Sequence, residues 1–218
     1  MGNGKRTQRG TDDWVLAMRE MADLSPLFLL PGHGEPITDP ELIRSEFHLL
    51  ADALEHIIDH VVDGLNRRLR KDLIVDTLDW PERFADHPTL AIQYVTPGDI
   101  ARMVIKRWTG WWDDIPSHWS PAPLVEQAAT IVDLAGGLGP LVARARSLVD
   151  ADVAQACHLA DWAWYADPHH PDVQQLVVDA YTARVMDPAS NTQEILVYLD
   201  QAAAARALQL RTAGHPDS

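Results

Sequence analysis

Residues 38–65 read TDPELIRSEFHLLADALEHIIDHVVDGL, and this stretch decides the architecture of the chain. Thr38 is a helix-capping residue, Pro40 suits the first helical turn, and Glu41 completes a capping box. Apolar side chains then recur at every third or fourth position; they are Ile43, Phe47, Leu50, Leu54, Ile57, Val61 and Leu65. The pattern predicts one helix over residues 39–71, about eight turns long, whose apolar seam packs against another helix of this chain or of a second subunit.

Helical signals continue to the end of the chain. Segments of helical spacing bounded by Pro, Gly or Asp occur at residues 97–109, 121–135, 139–149, 152–166, 172–186 and 191–212. The last part also has the spacing of a tetratricopeptide-type helix pair, carried by Ala156, Ala163, Asp167, Pro168, Ala180 and Tyr181. The chain is therefore predicted to be mainly α, a helical bundle with tetratricopeptide-like helix pairs.

The N-terminal segment has a different pattern. Residues 1–10 contain little that can be buried and are predicted to be a loose lead-in. Thr11 is predicted to cap a short helix. The apolar run Leu27–Leu30 lies between Pro26 and Pro31. Four residues between two prolines fit a short buried strand better than a helix, so we expect one helix and one strand here.

Composition limits the possible classes of function. The chain has 18 Lys and Arg against 32 Asp and Glu, a net charge of −14, whereas a nucleic-acid-binding surface needs clustered positive charge. No apolar run approaches the length of a membrane span. The single cysteine, Cys157, cannot form an internal disulfide, and its alanine neighbours favour a small buried side chain. We expect a cytoplasmic protein that binds neither nucleic acid nor membrane.

The segment Leu29–Pro36, LLPGHGEP, places a histidine between two glycines directly after the predicted strand. The glycines let a ligand or a metal ion approach the backbone, and imidazole is a common zinc ligand. His33 is therefore a candidate metal ligand. The alternative is a turn histidine without a partner, because one ligand does not make a metal site.

This segment and the motifs after it resemble one enzyme family. The Leu-Pro-Gly-His-Gly run resembles the end of a metallo-β-lactamase-type hydrolase domain, in which that histidine supplies the last zinc ligand. The following residues resemble the dimerisation domain of the zinc-dependent alkyl sulfatases; the matching positions are Tyr94, Arg102, Thr109–Asp113, Pro116, Gly136–Gly137 and Asp167–Pro168. The resemblance implies a remnant of an αββα hydrolase domain over residues 1–38 and an all-helical dimerisation domain over residues 39–218.

The departures from that family shape the expected function. Its His-x-His-x-Asp-His motif, which supplies most of the zinc ligands, is absent, and Val95 and Asp114 stand where glycines are expected. We therefore expect the C-terminal dimerisation portion of a zinc-dependent alkyl sulfatase-like hydrolase. Sulfuric ester hydrolysis belongs to the intact relative, and this chain is expected to be inactive and to hold no zinc stably alone. The alternative is a stand-alone helical protein-protein interaction module.

Two partners are expected from this interpretation. The first is a second copy of the chain, in a homodimer formed through residues 39–71 and neighbouring helices, because the long apolar seam would otherwise face water. The second is a missing hydrolase half. Without it, residues 1–36 are expected to be mobile or ordered only by packing on the helices or on a second subunit.

Candidate substrate-binding residues lie around a tryptophan cluster. Trp108, Trp111, Trp112 and Trp119 fall close together, and they could line a pocket for an alkyl chain or fill a helix junction. Arg102 could bind a sulfate through its planar donors, or pair with a carboxylate of the protein. The resemblance makes Tyr94, Arg102, Trp111 and Trp112 the candidate substrate-binding set.

Two further groups of histidines have simpler explanations. His56 and His60 lie one helical turn apart, like a helical zinc motif. Their positions fall toward the solvated side of the predicted helix, where carboxylates cluster, so a polar helix face is the preferred interpretation. His169 and His170 are predicted to lie in a turn between two helices, without a ligand role.

Overall fold

A computed structural model describes residues 10–214. Within this range the chain is mainly α-helical, and its only β pairing is one isolated bridge. The α-helices, in chain order, are α1 (Thr11–Asp23), α2 (Pro40–Asn66), α3 (Lys71–Asp76), α4 (Glu82–Ala85), α5 (Pro97–Thr109), α6 (Leu124–Leu134), α7 (Leu138–Leu148), α8 (Val153–Ala166), α9 (Pro171–Met186) and α10 (Thr192–Gly214). Short 3₁₀ turns cover Pro88–Leu90 and Pro116–His118. The predicted mainly α fold is confirmed. Of the loose lead-in predicted over residues 1–10, residues 1–9 lie outside the described range.

The chain divides into two compact units, one ending at His118 and the other beginning at Trp119. The first unit contains α1 to α5, and the second contains α6 to α10. The boundary predicted after residue 38 separates a hydrolase-domain remnant from a dimerisation domain. It is a different division from that of the two compact units, and it stays a prediction. In the structure, α1, which lies before residue 38, packs along α2 within the first unit.

The N-cap of the long helix lies one residue later than predicted. Asp39 is the N-cap, and its carboxylate accepts hydrogen bonds from the backbone N–H groups of Glu41, at 3.0 Å, and Leu42, at 3.3 Å. Thr38 was the predicted cap, but a carboxylate at the next position satisfies the same free donors of the first turn. The predicted cap of α1 at Thr11 is wrong: Gly10 is the N-cap, no side chain caps the helix, and Thr11 is its buried first residue.

α2 ends at Asn66, before the predicted limit of residue 71. The chain reverses at Arg68, whose φ of 56° lies in the left-handed region. The N–H of Arg68 donates to the carbonyl of Leu65, and the N–H of Leu69 donates to that of Gly64. This is the usual geometry of a helix C-terminus, although the left-handed position is normally taken by glycine.

The apolar seam of α2 is covered within the chain. Ile57 and Val61 are fully buried with Ile74 of α3 and with Ala101 and Val104 of α5. Nearer the N-terminus of α2, Ile43 and Phe47 pack with Ala22 of α1, and Ala51 and Leu54 pack with Val15 of the same helix. The predicted helix partner is therefore found in the same chain, and the seam itself is not the exposed surface from which a homodimer was expected.

The predicted buried strand over Leu27–Leu30 is wrong. Only Leu29 pairs, in a single antiparallel bridge to Ile37 with both hydrogen bonds at 2.9 Å. Leu27, Phe28 and Leu30 are 65%, 68% and 76% exposed. A strand needs a neighbouring strand along its edge, and residues 10–214 offer only the one residue at Ile37.

The second unit is built around a core of small and branched side chains. Ala156, Ala160 and Ala163 of α8 are buried, as are Val177 and Ala180 of α9. Small residues let the two helices approach closely, which agrees with the predicted helix pair. The tetratricopeptide-like character of this pair stays a prediction, while Cys157 is buried, as expected.

Among the described helices, no single one is long and apolar enough to cross a membrane. α6 and α7 reach the required length and composition only as a pair, and the chain bends by 87° between them.

Candidate functional site

His33, the predicted metal ligand, lies on an exposed loop beside Gly34, whose φ is 93°. Apart from the adjacent residues of the chain, nothing in the described range lies within 4 Å of the position where a Cβ would be placed on Gly32 or Gly34. Residues 10–214 contain no group of three or more His, Cys, Asp or Glu side chains that could hold a metal ion. Catalytic zinc generally takes three protein ligands. The side chains in this part of the chain therefore do not fit a zinc centre.

The rival histidine pair on α2 binds the backbone of the next segment. The Nε2 atom of His60 donates to the carbonyl of Ile74, at 2.8 Å, and that of His56 donates to the carbonyl of Asp79, at 2.7 Å. The ring of His56 also lies 5.7 Å from the Phe84 ring. Both side chains are half-buried, whereas Asp59 and Asp63 on the predicted polar face are exposed. These contacts explain the pair without a metal ion.

Three of the four predicted substrate-binding residues line one pocket, which we call the tryptophan pocket. It has a volume of about 290 Å³ and lies between α3, the second half of α5 and the loop after it. Arg102, Trp111 and Trp112 line it together with Val75, Ile105, Gly110, Lys71, Lys106, Asp72, Asp76 and Asp113. Apolar walls with charged groups around them can hold an amphiphilic molecule.

Tyr94, the fourth predicted residue, is not among the residues that line the tryptophan pocket. It is 49% exposed and lies in the segment before α5. Its neighbour Val95, which stands at an expected glycine, lines a separate apolar cavity of about 140 Å³. That cavity also receives Leu54, Ile57 and Ile100, so the valine has become part of the packing between α2 and α5.

Arg102 forms the structural pair with a carboxylate that was one of its two interpretations, and binding of a sulfate stays a prediction. Its guanidinium donates to Asp99 at 3.2 Å, as a structural pair would. Asp99 in turn forms the capping box of α5 with Thr96, which fixes the start of the helix that carries the arginine. The Arg102 side chain is nevertheless 61% exposed, so it remains open to an anion at the edge of the pocket.

The loop after α5 is held by hydrogen bonds. Lys71, whose side chain is only 11% exposed, donates to the carbonyl of Trp112 and lies 3.5 Å from a carboxylate oxygen of Asp114. His118 donates to Asp113 at 2.6 Å, and this hydrogen bond holds the pKa of the Asp113 carboxyl below its ordinary value. Asp114 has a φ of 70°, which explains why a glycine is expected at this position.

A second pocket adjoins the first across Trp112 and Lys71, and we call it the arginine pocket. It has a volume of about 400 Å³ and is lined by Leu65, Arg68, Leu69, Arg70, Lys71, Thr109, Trp112 and Asp114. Sequence reasoning missed it. The basic run over residues 67–71 was a signal, but only the fold shows that Trp112 lies beside Lys71, 41 residues away.

The second unit contains a half-buried polar pair. The hydroxyl of Tyr181 donates to Asp161 at 2.6 Å. Burial raises the pKa of Asp161, with the hydrogen bond acting against it, and burial together with that hydrogen bond raises the pKa of Tyr181. Burial also raises the pKa of Cys157 to about 11, so its thiol is protonated at neutral pH and is a poor nucleophile.

Comparison with known proteins gives a consistent result. The sequence profile of the family described as alkyl sulfatase dimerisation matches residues 71–207. A linear primary-alkylsulfatase from a Pseudomonas species is 26% identical over 155 residues, which is 71% of this chain and 28% of that protein. An alkyl/aryl-sulfatase from Saccharomyces cerevisiae is 24% identical over 153 residues, 70% of this chain and 24% of that protein. The chain thus matches about a quarter of each relative's length.

Solved structures show the same fold. A double mutant of the sec-alkyl sulfatase PisA1 superposes with a TM-score of 0.82 over 93% of this chain and 32% of that one, at 20% identity. The stereoselective inverting sec-alkylsulfatase Pisa1 from a Pseudomonas species gives a TM-score of 0.79, covering 91% of this chain and 31% of that one, also at 20% identity.

Proposed function

Because the chain belongs to the alkyl sulfatase dimerisation family, we propose that it is the self-associating part of an alkyl sulfatase-like hydrolase. The observation that carries this proposal is the family match over residues 71–207, which runs from the start of α3 into α10. The two sequence relatives are named as sulfatases. Their reaction, the hydrolysis of sulfuric esters, is proposed for the assembly in which this chain takes part.

The proposed hydrolysis needs residues from outside the described range. Residues 10–214 do not provide a group of three metal ligands, and His33 alone cannot hold a catalytic zinc ion. We propose that zinc in an intact relative is bound by a hydrolase half, with the histidine of the Leu-Pro-Gly-His-Gly motif as one ligand. This chain alone, supplied with zinc, is expected to show no turnover of dodecyl sulfate.

For self-association we propose the outer face of α10. Leu196, Leu199 and Leu210 on this face are 52%, 48% and 70% exposed, and Ala203 lies between them. Their spacing of three, four and seven residues follows the heptad repeat of helices that pair along an apolar seam. The opposite face of α10 packs on α9 through the fully buried Ala205. The exposed stripe suits a homodimer, because a two-fold interface uses the same surface of both subunits.

The test of this interface is Leu199→Glu, with Leu134→Glu as the matched control. Leu134 is 78% exposed at the end of α6 and lies outside the stripe. A glutamate in the seam would face its own copy across the two-fold axis and be desolvated. Light scattering is expected to give a dimer for the wild type and the control and a monomer for Leu199→Glu. A dimer of Leu199→Glu would exclude α10 as the interface.

We further propose that the tryptophan pocket contacts the sulfate ester. The exposed guanidinium of Arg102 supplies donors for a sulfate, and Trp111 and Trp112 supply apolar surface for an alkyl chain. Tyr94 is proposed to contribute from the segment before α5. Titration with decane-1-sulfonate, a non-hydrolysable analogue, tests this assignment. Arg102→Ala is expected to weaken binding about tenfold.

The alternative function is a stand-alone interaction module with no catalytic role. The absence of a three-ligand metal group among residues 10–214 favours it. Such a module would self-associate but would have no site for a sulfate ester. Saturable sulfonate binding that depends on Arg102 supports the sulfatase proposal, whereas the same affinity in the wild type and Arg102→Ala supports the module.

A further inference from the structure

The arginine pocket is positively charged in a strongly acidic protein. Three of its lining residues, Arg68, Arg70 and Lys71, are cations, and only one, Asp114, is a carboxylate. The whole chain has a net charge of −14, so a pocket with a local excess of positive charge stands out. Leu65, Leu69 and Trp112 provide apolar lining, and low-dielectric walls strengthen the attraction between these cations and an anion.

The cations differ in how far they are already neutralised. Lys71 lies 3.5 Å from the carboxylate of Asp114, and Arg70 donates to Asp72 at 3.0 Å. Within the described part of the chain, Arg68 has no carboxylate within the 4 Å of an ion pair. The guanidinium of Arg68 is therefore the group in this pocket with its donors open to a ligand.

The backbone at Arg68 also favours a functional role. Its φ of 56° is costly for any residue with a Cβ, and glycine is the usual residue at this position after a helix. Asp114, on the other side of the pocket, has a φ of 70°. The chain thus keeps two charged residues in left-handed conformations at one pocket, where glycines would be more stable.

We propose that the arginine pocket is a second anion site, which binds the sulfate group of a free sulfate ion or of an alkyl sulfate. Arg68 is the proposed donor to the oxyanion, and Arg70, whose guanidinium donates to Asp72, adds positive charge beside it. In an alkyl sulfate, the chain lies against Trp112 and Leu69. The choice of sulfate rests on the function proposed above, but the site is separate from the tryptophan pocket, whose assigned anion-binding residue is Arg102.

The experiment is calorimetric titration of the full chain with sodium sulfate and, separately, with decane-1-sulfonate, at constant ionic strength. Arg68→Gly removes the guanidinium and also relieves the left-handed backbone, so loss of binding cannot be attributed to unfolding. It is expected to weaken binding of the probe about tenfold, and Arg70→Gln should act in the same direction. Asp114→Asn, which removes the pocket's only carboxylate, should strengthen binding.

Arg144→Gln is the matched control. Arg144 is exposed on α7 in the second unit. Its replacement by glutamine changes the net charge by the same amount as Arg68→Gly. Unchanged affinity in this control, with loss in Arg68→Gly, supports the site. Binding of both probes indicates that free sulfate suffices, and binding of the sulfonate alone indicates that the ligand is an amphiphile.

Three results would overturn the proposal. The first is that neither probe binds saturably. The second is that Arg68→Gly and Arg70→Gln bind the probe with wild-type affinity. The third is that Arg144→Gln loses as much affinity as Arg68→Gly. If sulfonate binding is lost in Arg102→Ala and in none of the other variants, the sulfonate binds in the tryptophan pocket, and only the proposal for the arginine pocket is overturned. A homodimer with no anion binding at either pocket would leave the proposed self-association intact.

Discussion

Arg68 and Asp114 show how single residues of this chain depart from the most stable choice. Both adopt left-handed backbone conformations that favour glycine. Asp114 lies 3.5 Å from the ammonium of the nearly buried Lys71, whereas Arg68 is exposed. The two residues therefore respond differently to replacement by glycine.

Arg68→Gly is predicted to stabilise the protein by about 1 kcal/mol, because relief of the left-handed strain exceeds the extra entropy of the unfolded chain. The measurement is the free energy of unfolding from urea denaturation. Arg67→Gly is the control, because Arg67 has an ordinary right-handed φ of −78° and its replacement should destabilise. A lower stability for Arg68→Gly would show that its side chain contributes to the fold.

The Asp161–Tyr181 pair makes stability depend on pH. Burial raises the pKa of Asp161 above its ordinary value of 3.8. At pH values between the ordinary pKa of the unfolded chain and the raised pKa of the folded protein, the folded protein binds more protons than the unfolded one. This group's contribution to stability therefore falls as pH rises through that window.

Asp161→Asn is predicted to raise the thermal midpoint at about pH 7, because the amide oxygen still accepts from Tyr181 without a buried charge. The advantage should disappear near about pH 3, where the wild-type carboxyl is protonated in both states. Thermal denaturation of both proteins across this range is the measurement. An advantage that persists unchanged at low pH would contradict the assignment.

At the scale of elements, close approach between α2 and α3 depends on Gly64. A Cβ added there would lie 2.7 Å from Cγ1 of Ile74 and 3.0 Å from its Cδ1. Ile74 is fully buried and β-branched, so it cannot easily move away. The glycine is therefore required by packing, even though it lies inside a helix.

Gly64→Ala is predicted to destabilise by about 2 kcal/mol through overpacking, although helix propensity alone favours alanine by about 1 kcal/mol. In an Ile74→Ala background the same substitution should stabilise, because the obstructing side chain is gone. A double-mutant cycle in urea measures the coupling. Additive effects of the two substitutions would show that the contact is not the cause.

Elements with a repeating sequence pattern could be predicted, whereas elements whose structure depends on a single tertiary contact could not. The seam of α2 repeats over many turns, so its buried face could be predicted from Ile43 to Val61. α3 has six residues, too few to show a period. The Leu27–Leu30 run had the composition of a strand, but its burial depended on a neighbouring strand that composition cannot reveal.

The candidate site was predictable only in part for the same reason. Arg102, Trp111 and Trp112 are close in sequence, and they do line one pocket. Tyr94 is equally close in sequence but does not line it. Arg68 and Arg70 join the neighbouring pocket because the chain turns sharply after α2, a turn that the sequence does not indicate, since it contains arginine where glycine is usual.

At the scale of the whole molecule, the central claim is self-association. The seam of α2, first expected to form the interface, is covered by α1, α3 and α5 of the same chain. Exposed apolar surface remains, including the outer face of α10. Two chains bring together twice a charge of −14, but repulsion between exposed charges is screened over about 8 to 10 Å at physiological salt.

The most direct test is the mass of the purified chain in solution by light scattering at micromolar concentration. The chain mass is 24.3 kDa, and the proposed function predicts twice this value for the wild type. A mass of 24.3 kDa that persists as the protein concentration is raised would contradict self-association, and with it the role proposed for this chain.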